Sequence, residues 1–214
     1  MSGHRDALVP VLEEARRLGF LGPGPVEPHV AHAGGFAAAL EEEAGAGWFP
    51  RWAVDLGSGA GLPGLPLALA YPRAQWVLVE VSVRRAAFLR AAVAELTLGE
   101  RVTVVEERAE VVGRAPACRG RFDLVVARSF GPPAVFAECA APLLRPGGWA
   151  VVSEPPGGAP ARWPAHGLAQ LDMAPGPAVS AGGAAYQVLR QVAACPERWP
   201  RRTGVPGKRP LFGF

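Results

Sequence analysis

The stretch W-A-V-D-L-G-S-G-A-G-L-P-G-L-P-L-A-L, residues 52–69, decides the fold of this 214-residue chain. Its apolar start predicts a buried strand, its glycines a tight turn, and the residues after Pro63 the first turns of a helix. Gly57, Gly59 and Gly61 can adopt positive φ and present no Cβ to a ligand lying against the backbone. A strand, a glycine turn and a helix in this order are typical of a ligand-binding edge in an α/β sheet.

An acidic residue, Asp55, stands at the end of the predicted strand, where its carboxylate would face a ligand held by the turn. A dinucleotide places its pyrophosphate at the helix N-terminus, and a neighbouring carboxylate would repel that group. S-Adenosylmethionine carries an ammonium and a sulfonium instead, so the acid favours the methyl donor. A dinucleotide site and a purely structural turn stay open, because a glycine turn alone is a weak motif.

The composition indicates one α/β domain. A chain of 214 residues, half of them hydrophobic, can build one sizeable core but not two comfortable ones. The 23 prolines and 27 glycines fall mainly between periodic segments, so we interpret them as loop residues. No apolar run has the length of a membrane span, and the N-terminus lacks the apolar stretch of a signal peptide. We therefore expect a cytoplasmic protein with no membrane partner.

The cysteines and histidines do not predict a metal site. Cys118, Cys139 and Cys195 are odd in number and widely spaced, which indicates neither a disulfide framework nor a zinc site. His29 and His32 would lie one turn apart on a helix, but no third ligand is near them in the sequence. We expect free thiols and no bound metal.

Hydrophobic periodicity along the chain alternates between helix and strand, which predicts a mostly parallel sheet with an antiparallel hairpin at one edge. We expect an N-terminal helical region (1–48), the sheet domain (49–194) and a basic C-terminal tail packed on or near it (195–214). The predicted helices cover 6–18, 36–44, the residues after Ser82, and 132–144. Besides the first strand, the predicted strands cover 75–80, 102–105, 122–127, 149–153, 168–173 and 185–194, and residues 154–167 are predicted to form a loop near the site.

Three further positions fall at the carboxyl ends of predicted strands, where α/β sheets bind ligands. Glu80 ends the second strand about twenty residues after the glycines, the distance at which a carboxylate accepts from both ribose hydroxyls. Glu110 or its neighbouring backbone follows the third strand and would meet an adenine. Arg128 and Ser129 follow the fourth strand at the same edge.

The C-terminal nineteen residues have a net charge of +4, with five basic residues against the single acid Glu197, whereas the rest of the chain has a net charge of −1. Such a segment can bind an anionic partner such as RNA, and a merely solvated basic end is the alternative. The five basic residues are Arg198, Arg201, Arg202, Lys208 and Arg209.

Five motifs together resemble the RsmG (GidB) family. They are D-L-G-S-G-A-G-L-P-G-L-P-L-A-L, V-E-V-S-V-R-R-A-A-F-L-R, E-R-A-E, F-D-L-V-V-A-R-S-F and the tail W-P-R-R-T-G-V-P-G-K-R-P-L. The resemblance covers residues 52–148 and 199–211. It implies a Rossmann-like class I methyltransferase fold with a seven-stranded sheet, and S-adenosylmethionine-dependent methylation of guanine N7 in small-subunit ribosomal RNA.

The resemblance also implies roles for individual residues. It places the methionine part of the cofactor against Asp55, Gly57, Ser58, Gly59 and Gly61. It places the ribose at Glu80 and the adenine beside Ala109 and Glu110, with Leu62, Val81 and Arg128 as further cofactor contacts. Arg128 would face the cleft as the one catalytic candidate, with no general base. The RNA-facing residues would be Arg201, Arg202, Lys208 and Arg209.

Two segments on the substrate side depart from the family pattern. The family has an arginine-histidine pair followed by aspartate-serine before the glycine turn, and residues 28–33 keep only the histidine. After the fifth strand the family has lysine and glycine, whereas Glu154 and Pro155 stand here. An acid where a phosphate would approach weakens the ribosomal-RNA assignment but leaves the cofactor assignment intact.

Three functions follow as hypotheses. Guanine N7 carries a free lone pair, so its methylation needs alignment and exclusion of water but no base. The second is a methyltransferase of a small metabolite or of another RNA, where a hydroxyl or amine substrate would need a base that His29 or His166 would supply. A non-catalytic cofactor- or RNA-binding protein is the third. For the first hypothesis we expect a monomer that binds ribosomal RNA or the small ribosomal subunit and does not bind DNA.

Overall fold

A computed structural model describes residues 2–155 and 160–213. It contains one seven-stranded sheet. The strands are β1 (Trp52–Leu56), β2 (Gln75–Val79), β3 (Val102–Val105), β4 (Phe122–Ala127), β5 (Leu144–Glu154), β6 (Met173–Ala181) and β7 (Ala184–Gln191). Their order across the sheet is β3-β2-β1-β4-β5-β7-β6.

The first five strands run parallel and the last two close the sheet as an antiparallel hairpin. At the central pair, Asp55 of β1 lies opposite Val126 of β4, and on the other side it lies opposite Leu78 of β2. The carboxyl ends of β1 to β5 therefore meet at one edge of the sheet. The chain reverses its order between β1 and β4, which is the position where such sheets open a crevice for ligands.

Helices cover both faces of the sheet. They are α1 (Ser2–Arg17), α2 (Glu27–Ala44), α3 (Gly64–Ala70), α4 (Val83–Glu95), α5 (Ala109–Arg114), α6 (Pro133–Ala140), α7 (Ala165–Ala169) and α8 (Val205–Lys208), with a short 3-10 helix at Pro160–Arg162. Alternate residues of β1 point to opposite faces, so Ala53 joins the core with α1 to α4, and Val54 joins the core with α5, α6 and the C-terminal segment. The result is a three-layer α/β/α arrangement.

The N-terminal helices share the core of the sheet. Leu8 of α1 and Phe36 of α2 are buried in the same cluster as strand residues. In α2, a Cβ on Gly35 would lie 2.1 Å from the Tyr186 hydroxyl oxygen, so only glycine admits this approach. The Tyr186 hydroxyl donates a 2.6 Å hydrogen bond to the His32 carbonyl oxygen. This contact fixes α2 beside the end of the sheet where β4 and β5 stop.

The predicted α/β fold with a mostly parallel sheet and an antiparallel hairpin is confirmed. The predicted strand at 168–173 is wrong, because the chain forms α7 and a turn before β6 begins at Met173. β6 contains Pro175, Gly176 and Pro177, which are typical of loops, so the sequence did not predict a strand there. Prolines are tolerated there because β6 is an edge strand and pairs on one side only.

Two helix predictions have wrong boundaries. The second helix begins at Glu27, nine residues before the predicted start, and the Gly34-Gly35 pair that resembles a helix breaker lies inside it, with Gly35 packed closely against Tyr186. The helix predicted for 132–144 ends at Ala140, because β5 already begins at Leu144. Pro146 and Gly147 lie inside β5, where its register with β4 shifts. Residues 156–159 of the predicted loop lie outside the described residues.

Within the described ranges, no helix combines the length and the apolar character needed to cross a membrane.

Candidate active site

The glycine turn after β1 is fixed from behind by Asp55. The Asp55 side chain is fully buried, and its Oδ2 accepts a 3.0 Å hydrogen bond from the Gly64 N–H at the start of α3. The Ser58 hydroxyl, also buried, donates to the Asp55 carbonyl oxygen at 3.0 Å. Oδ1 of Asp55 has no hydrogen-bond partner among the described residues. Asp55 therefore holds the turn and leaves one buried acceptor atom for a cation or donor.

Burial raises the pKa of Asp55 from 3.8 to about 7, against the opposing effect of the hydrogen bond from Gly64. The folded protein thus binds this proton more tightly than the unfolded chain does. As pH rises from about 4 to about 7, Asp55 ionises in the unfolded chain but stays protonated in the folded protein, so the free energy of unfolding decreases. We expect Asp55→Asn to gain stability relative to the wild type across that window and to show no further relative gain above it. Urea unfolding at several pH values measures the difference, and a constant difference from pH 4 to 8 would contradict this account.

Glu80 joins the end of β2 to the same turn. Its Oε2 accepts a 2.9 Å hydrogen bond from the Gly59 N–H, and its Oε1 accepts one of 2.9 Å from the Ser82 N–H. The residue is 4% exposed. Each oxygen keeps a second acceptor position, so the carboxylate can still accept from a ligand.

A cavity of about 270 Å³ opens between the ends of β1, β2 and β3, and we call it the cofactor cavity. It has carboxylates at one end and apolar side chains along its walls. A Cβ on Gly57 would lie 2.9 Å from the Phe130 ring, and Gly57 has φ +66°, so the backbone itself forms this wall. The lining residues are Gly57, Val79, Glu80, Val81, Glu107, Arg108, Ala109, Glu110, Phe130, Val135, Cys139, Gly204 and Gly207.

The C-terminal tail covers one side of the cofactor cavity. Gly204 and Gly207 line the cavity, and the Gly204 N–H donates a 2.9 Å hydrogen bond to Oε1 of Glu110. The tail is anchored by Arg201, whose guanidinium donates to both carboxylate oxygens of Glu138 at 2.9 and 2.6 Å. Glu138 is completely buried in α6. The ion pair therefore ties the tail to the helix that borders the cavity.

A second cavity, of about 430 Å³, lies at the ends of β4 and β5, and we call it the acceptor cavity. Phe130 lines both cavities, so they adjoin across its ring. The acceptor cavity is lined by His29, His32, Arg128, Ser129, Phe130, Gly131, Pro133, Val152, Ser153, Glu154, Pro155, Arg162 and Trp163. A group in one cavity can thus reach a group in the other at the middle of the sheet edge.

Arg128 enters the acceptor cavity beside the N-terminal helix α2. Its Nη1 lies 3.3 Å from Nδ1 of His29. Because a guanidinium can only donate, His29 Nδ1 must accept, and its lone pair is engaged. Burial and the Arg128 charge lower the pKa of His29, and the same causes with His29 lower the pKa of His32 to about 4. Both histidines are therefore neutral at pH 7.

Glu154 at the end of β5 is paired inside the acceptor cavity. Arg162 forms a salt bridge to its Oε2, and Trp163 Nε1 donates to its Oε1 at 3.2 Å. The Glu154 side chain is 5% exposed and that of Arg162 is 35% exposed. The acid that departs from the family pattern is thus paired with a cation eight residues later in the chain.

Comparison with known proteins agrees with this geometry. The sequence model described as GidB, rRNA small subunit methyltransferase G, matches residues 43–153. A ribosomal RNA small subunit methyltransferase G from Prochlorococcus marinus (strain MIT 9313) is 43% identical over 169 residues, which cover 76% of this chain and 68% of that protein. The chain belongs to the RsmG (GidB) family. Its relative of the same name from Rubrobacter xylanophilus is 38% identical over 180 residues, 75% of this chain and 65% of that protein.

Solved structures support the class I methyltransferase fold of this RsmG-family protein. A Klebsiella pneumoniae protein provisionally described as an O-methyltransferase matches with a TM-score of 0.59 at 16% identity, covering 88% of this chain and 90% of that one. An O-methyltransferase family protein from Burkholderia thailandensis matches with a TM-score of 0.53 at 16% identity, over 78% of this chain and 56% of that one. At these identities the comparison establishes the fold alone.

The family and the fold imply S-adenosylmethionine as the methyl donor, and the residues of the cofactor cavity fit it. A Cβ at Gly57 would collide with the Phe130 ring, so bare backbone borders the cavity at this point. Glu80 presents a carboxylate with free acceptor positions. Behind the turn, the buried Asp55 Oδ1 lacks a partner within the described part of the chain, which suits a cationic ligand better than a phosphate.

The structure distributes the predicted cofactor residues over three places. Gly57, Glu80, Val81, Ala109 and Glu110 line the cofactor cavity. Asp55, Ser58, Gly61 and Leu62 are buried behind it, and the Gly59 N–H binds Glu80. Arg128 lines the acceptor cavity instead. Their contacts with a ligand stay predictions.

Arg201, one of the predicted RNA-facing residues, instead binds groups within the protein. Its guanidinium is occupied by Glu138 and by the Arg209 carbonyl oxygen, because a buried carboxylate needs a partner. Arg202, Lys208 and Arg209 are exposed. His166, the alternative base, is exposed on α7 and lines neither cavity.

Sequence reasoning missed three residues of the site. The only sequence signal for Phe130 was a weak one: it lies two residues after Arg128. Glu138 gave a stronger one, since it is the single acid of the apolar helix P-A-V-F-A-E-C-A. Gly204 gave none, because its contact with Glu110 spans 94 residues. Within residues 2–155 and 160–213, no three His, Cys, Asp or Glu side chains form a metal-binding group.

Proposed function

We propose that this protein transfers the methyl group of S-adenosylmethionine to guanine N7 in small-subunit ribosomal RNA. The single observation that carries the proposal is the pair of cavities that adjoin across Phe130 at the carboxyl edge of the sheet. The cofactor cavity has the carboxylates and backbone wall suited to the donor. The acceptor cavity is wide enough to take an extruded base, and family membership supports RNA as its source.

The donor would lie across the ends of β1, β2 and β3. In this proposal Glu80 binds the ribose, the backbone at Ala109 and Glu110 borders the adenine, and the turn at Gly57 borders the methionine part. When bound, the cofactor supplies a sulfonium-activated methyl group. Phe130, which lines both cavities, would border the place where donor and acceptor meet and help to keep water out of it.

Methylation of guanine N7 requires no proton transfer by a side chain. Guanine N7 is a nucleophile without prior loss of a proton, so the protein has to orient the base and exclude water. The neutral His29 has its Nδ1 lone pair directed at Arg128, which leaves it poorly placed to take a proton from a substrate. This arrangement supports N7 methylation over transfer to a hydroxyl or amine, which calls for a base.

The RNA would contact the tail beside the cofactor cavity. Three cations are exposed on the segment that Arg201 anchors, so the backbone that carries them is held in position. They are Arg202, Lys208 and Arg209. Single-stranded nucleic acid is bound by such exposed cations through its phosphates. Action on ribosomal RNA would place the protein in the cytoplasm. The monomeric state and the absence of DNA binding stay predictions.

Alanine at Arg202, Lys208 and Arg209 together is expected to weaken RNA binding and to reduce the slope of log affinity against log salt by about two. The measurement is a salt titration of binding to small-subunit RNA. The matched control is alanine at Arg51, Arg73 and Arg121, exposed cations that precede β1, β2 and β4 at the opposite edge of the sheet. Equal slopes for the two triple variants would contradict the placement of RNA on the tail.

The proposed function is tested by incubating the protein with methyl-labelled S-adenosylmethionine and small ribosomal subunits from cells that lack the family's enzyme. We expect label in the RNA fraction, and none when fully modified subunits are used. Label in a small-molecule extract but not in RNA would favour the metabolite hypothesis. Cofactor binding by calorimetry without label in either fraction would favour the non-catalytic one.

A further inference from the structure

Glu154 occupies the wall of the acceptor cavity that is farthest from the donor. The cofactor cavity lies at the ends of β1 to β3, whereas Glu154 ends β5, two strands beyond β1 in the sheet. Neighbouring strands lie about 4.8 Å apart, and Glu154 lies two residues beyond the level of Leu56, so it stands about 12 Å from the end of β1. A planar purine fits between these two positions with one edge toward the donor and the opposite edge toward β5.

The Glu154 carboxylate is held in one orientation and still has room for a ligand. Each oxygen accepts one hydrogen bond, from Arg162 or from Trp163, and each has a second acceptor position. The side chain of Glu154 is 5% exposed, and because it lines the acceptor cavity, the part that stays accessible faces that cavity. Arg162 balances its charge before a substrate arrives. The group is therefore a preorganised hydrogen-bond acceptor facing the cavity.

The donor pattern of guanine matches such an acceptor. When N7 points at the methyl donor, the opposite edge presents the N1–H and the N2 amino group, two donors that a carboxylate can accept together. Adenine presents a lone pair at N1 in the same place, and a carboxylate repels it. We propose that Glu154 binds the N1–H and N2–H groups of the acceptor guanine and thereby selects guanine over adenine. This inference rests on the proposed function for its orientation of the base.

The same contact would favour the reaction itself. As the N7 lone pair forms the bond to the methyl carbon, the carbon–sulfur bond breaks and sulfur keeps its electron pair. The purine becomes cationic and no proton leaves it. Positive charge on the ring strengthens the N1–H as a donor, so the hydrogen bond to Glu154 is stronger in the transition state than in the ground state.

Binding of free nucleotides tests this inference without any methyl transfer. Calorimetry in the presence of S-adenosylhomocysteine would compare guanosine, inosine and adenosine monophosphates. The wild type is expected to bind the guanosine nucleotide about ten- to a hundredfold more tightly than the adenosine one, with the inosine nucleotide, which has N1–H but no amino group, between them. Glu154→Gln, which keeps the shape and loses one acceptor, is expected to abolish the preference.

Two comparisons exclude a general structural effect. Glu197→Gln, an exposed acid outside both cavities, is expected to keep the wild-type preference. Cofactor affinity of Glu154→Gln is expected to equal that of the wild type, which shows that the variant is folded. A wild type without guanine preference, or a Glu154→Gln variant that keeps it, would overturn the inference.

The outcome separates this inference from the proposed function. A guanine preference that depends on Glu154, in a protein that places no methyl group on RNA, would support the inference and refute the proposed function. Methylated RNA together with an unchanged guanine preference in Glu154→Gln would support the proposed function and refute the inference.

Discussion

Arg201→Met is expected to destabilise the protein by about 3–5 kcal/mol, because it leaves the Glu138 carboxylate buried without its cation. The side chain of Glu138 is 0% exposed, and after loss of the two guanidinium hydrogen bonds its carboxylate would retain the one from the Arg201 backbone N–H. The tail would also lose its anchor to α6, and the Gly204 N–H its fixed position at Glu110. Urea unfolding followed by circular dichroism measures the change.

Two variants make this result specific. Arg202→Met removes the neighbouring, exposed cation and is expected to change stability by no more than about 0.5 kcal/mol. Glu138→Gln combined with Arg201→Met removes the buried charge and is expected to recover a large part of the loss, since an unpaired amide costs less than an unpaired carboxylate. Equal stability of the Arg201 and Arg202 variants would refute an internal role for Arg201.

Glu80→Ala is expected to weaken S-adenosylmethionine binding about a hundredfold or more, equivalent to about 3 kcal/mol. The variant loses the proposed ribose acceptor and also the two hydrogen bonds that hold the turn at Gly59 and the start of α4 at Ser82. Hydrogen bonds to a charged group contribute about 1.5–3 kcal/mol each, so the folded state is weakened as well. Calorimetry gives the affinity, and unfolding curves give the stability.

Glu107→Ala is the matched control for Glu80. Glu107 lines the same cavity and carries the same charge, but it is exposed and its recorded hydrogen bond is only to the N–H of its neighbour Arg108. We expect its cofactor affinity to stay within a few-fold of the wild type. If both glutamates weakened binding equally, the net charge of the cavity and not the position of Glu80 would determine affinity.

The turn and the cavity at the ends of β1 to β3 were predictable from sequence because their signals are local. A strand end, a glycine turn and a helix start follow one another within residues 52–69, and Glu80 follows at a spacing set by one helix. Each signal reflects backbone geometry that only certain residues allow, such as positive φ at Gly57. The family motifs are concentrated in the same segments, so pattern and resemblance agreed.

The acceptor cavity and the anchor of the C-terminal tail were not predictable in the same way, because their residues meet only through tertiary packing. His29 comes to Arg128 over 99 residues, and Arg201 reaches Glu138 over 63. Sequence reasoning treated Glu154 as a lost cation, whereas Arg162 restores one eight residues later. Hydrophobic periodicity gives no signal for an ion pair of this kind. Likewise, the sequence did not predict β6 because it contains prolines, which a strand tolerates at the edge of a sheet.

The most direct test of the central claim identifies the methylated atom. Small-subunit RNA labelled by this protein would be digested to nucleosides and separated by chromatography with mass detection. The account predicts that the label elutes as 7-methylguanosine, and that Glu80→Ala reduces its yield far more than Glu107→Ala does. Label in any other nucleoside, or no labelled nucleoside from a protein that binds the cofactor, would contradict a donor and a guanine that meet across Phe130.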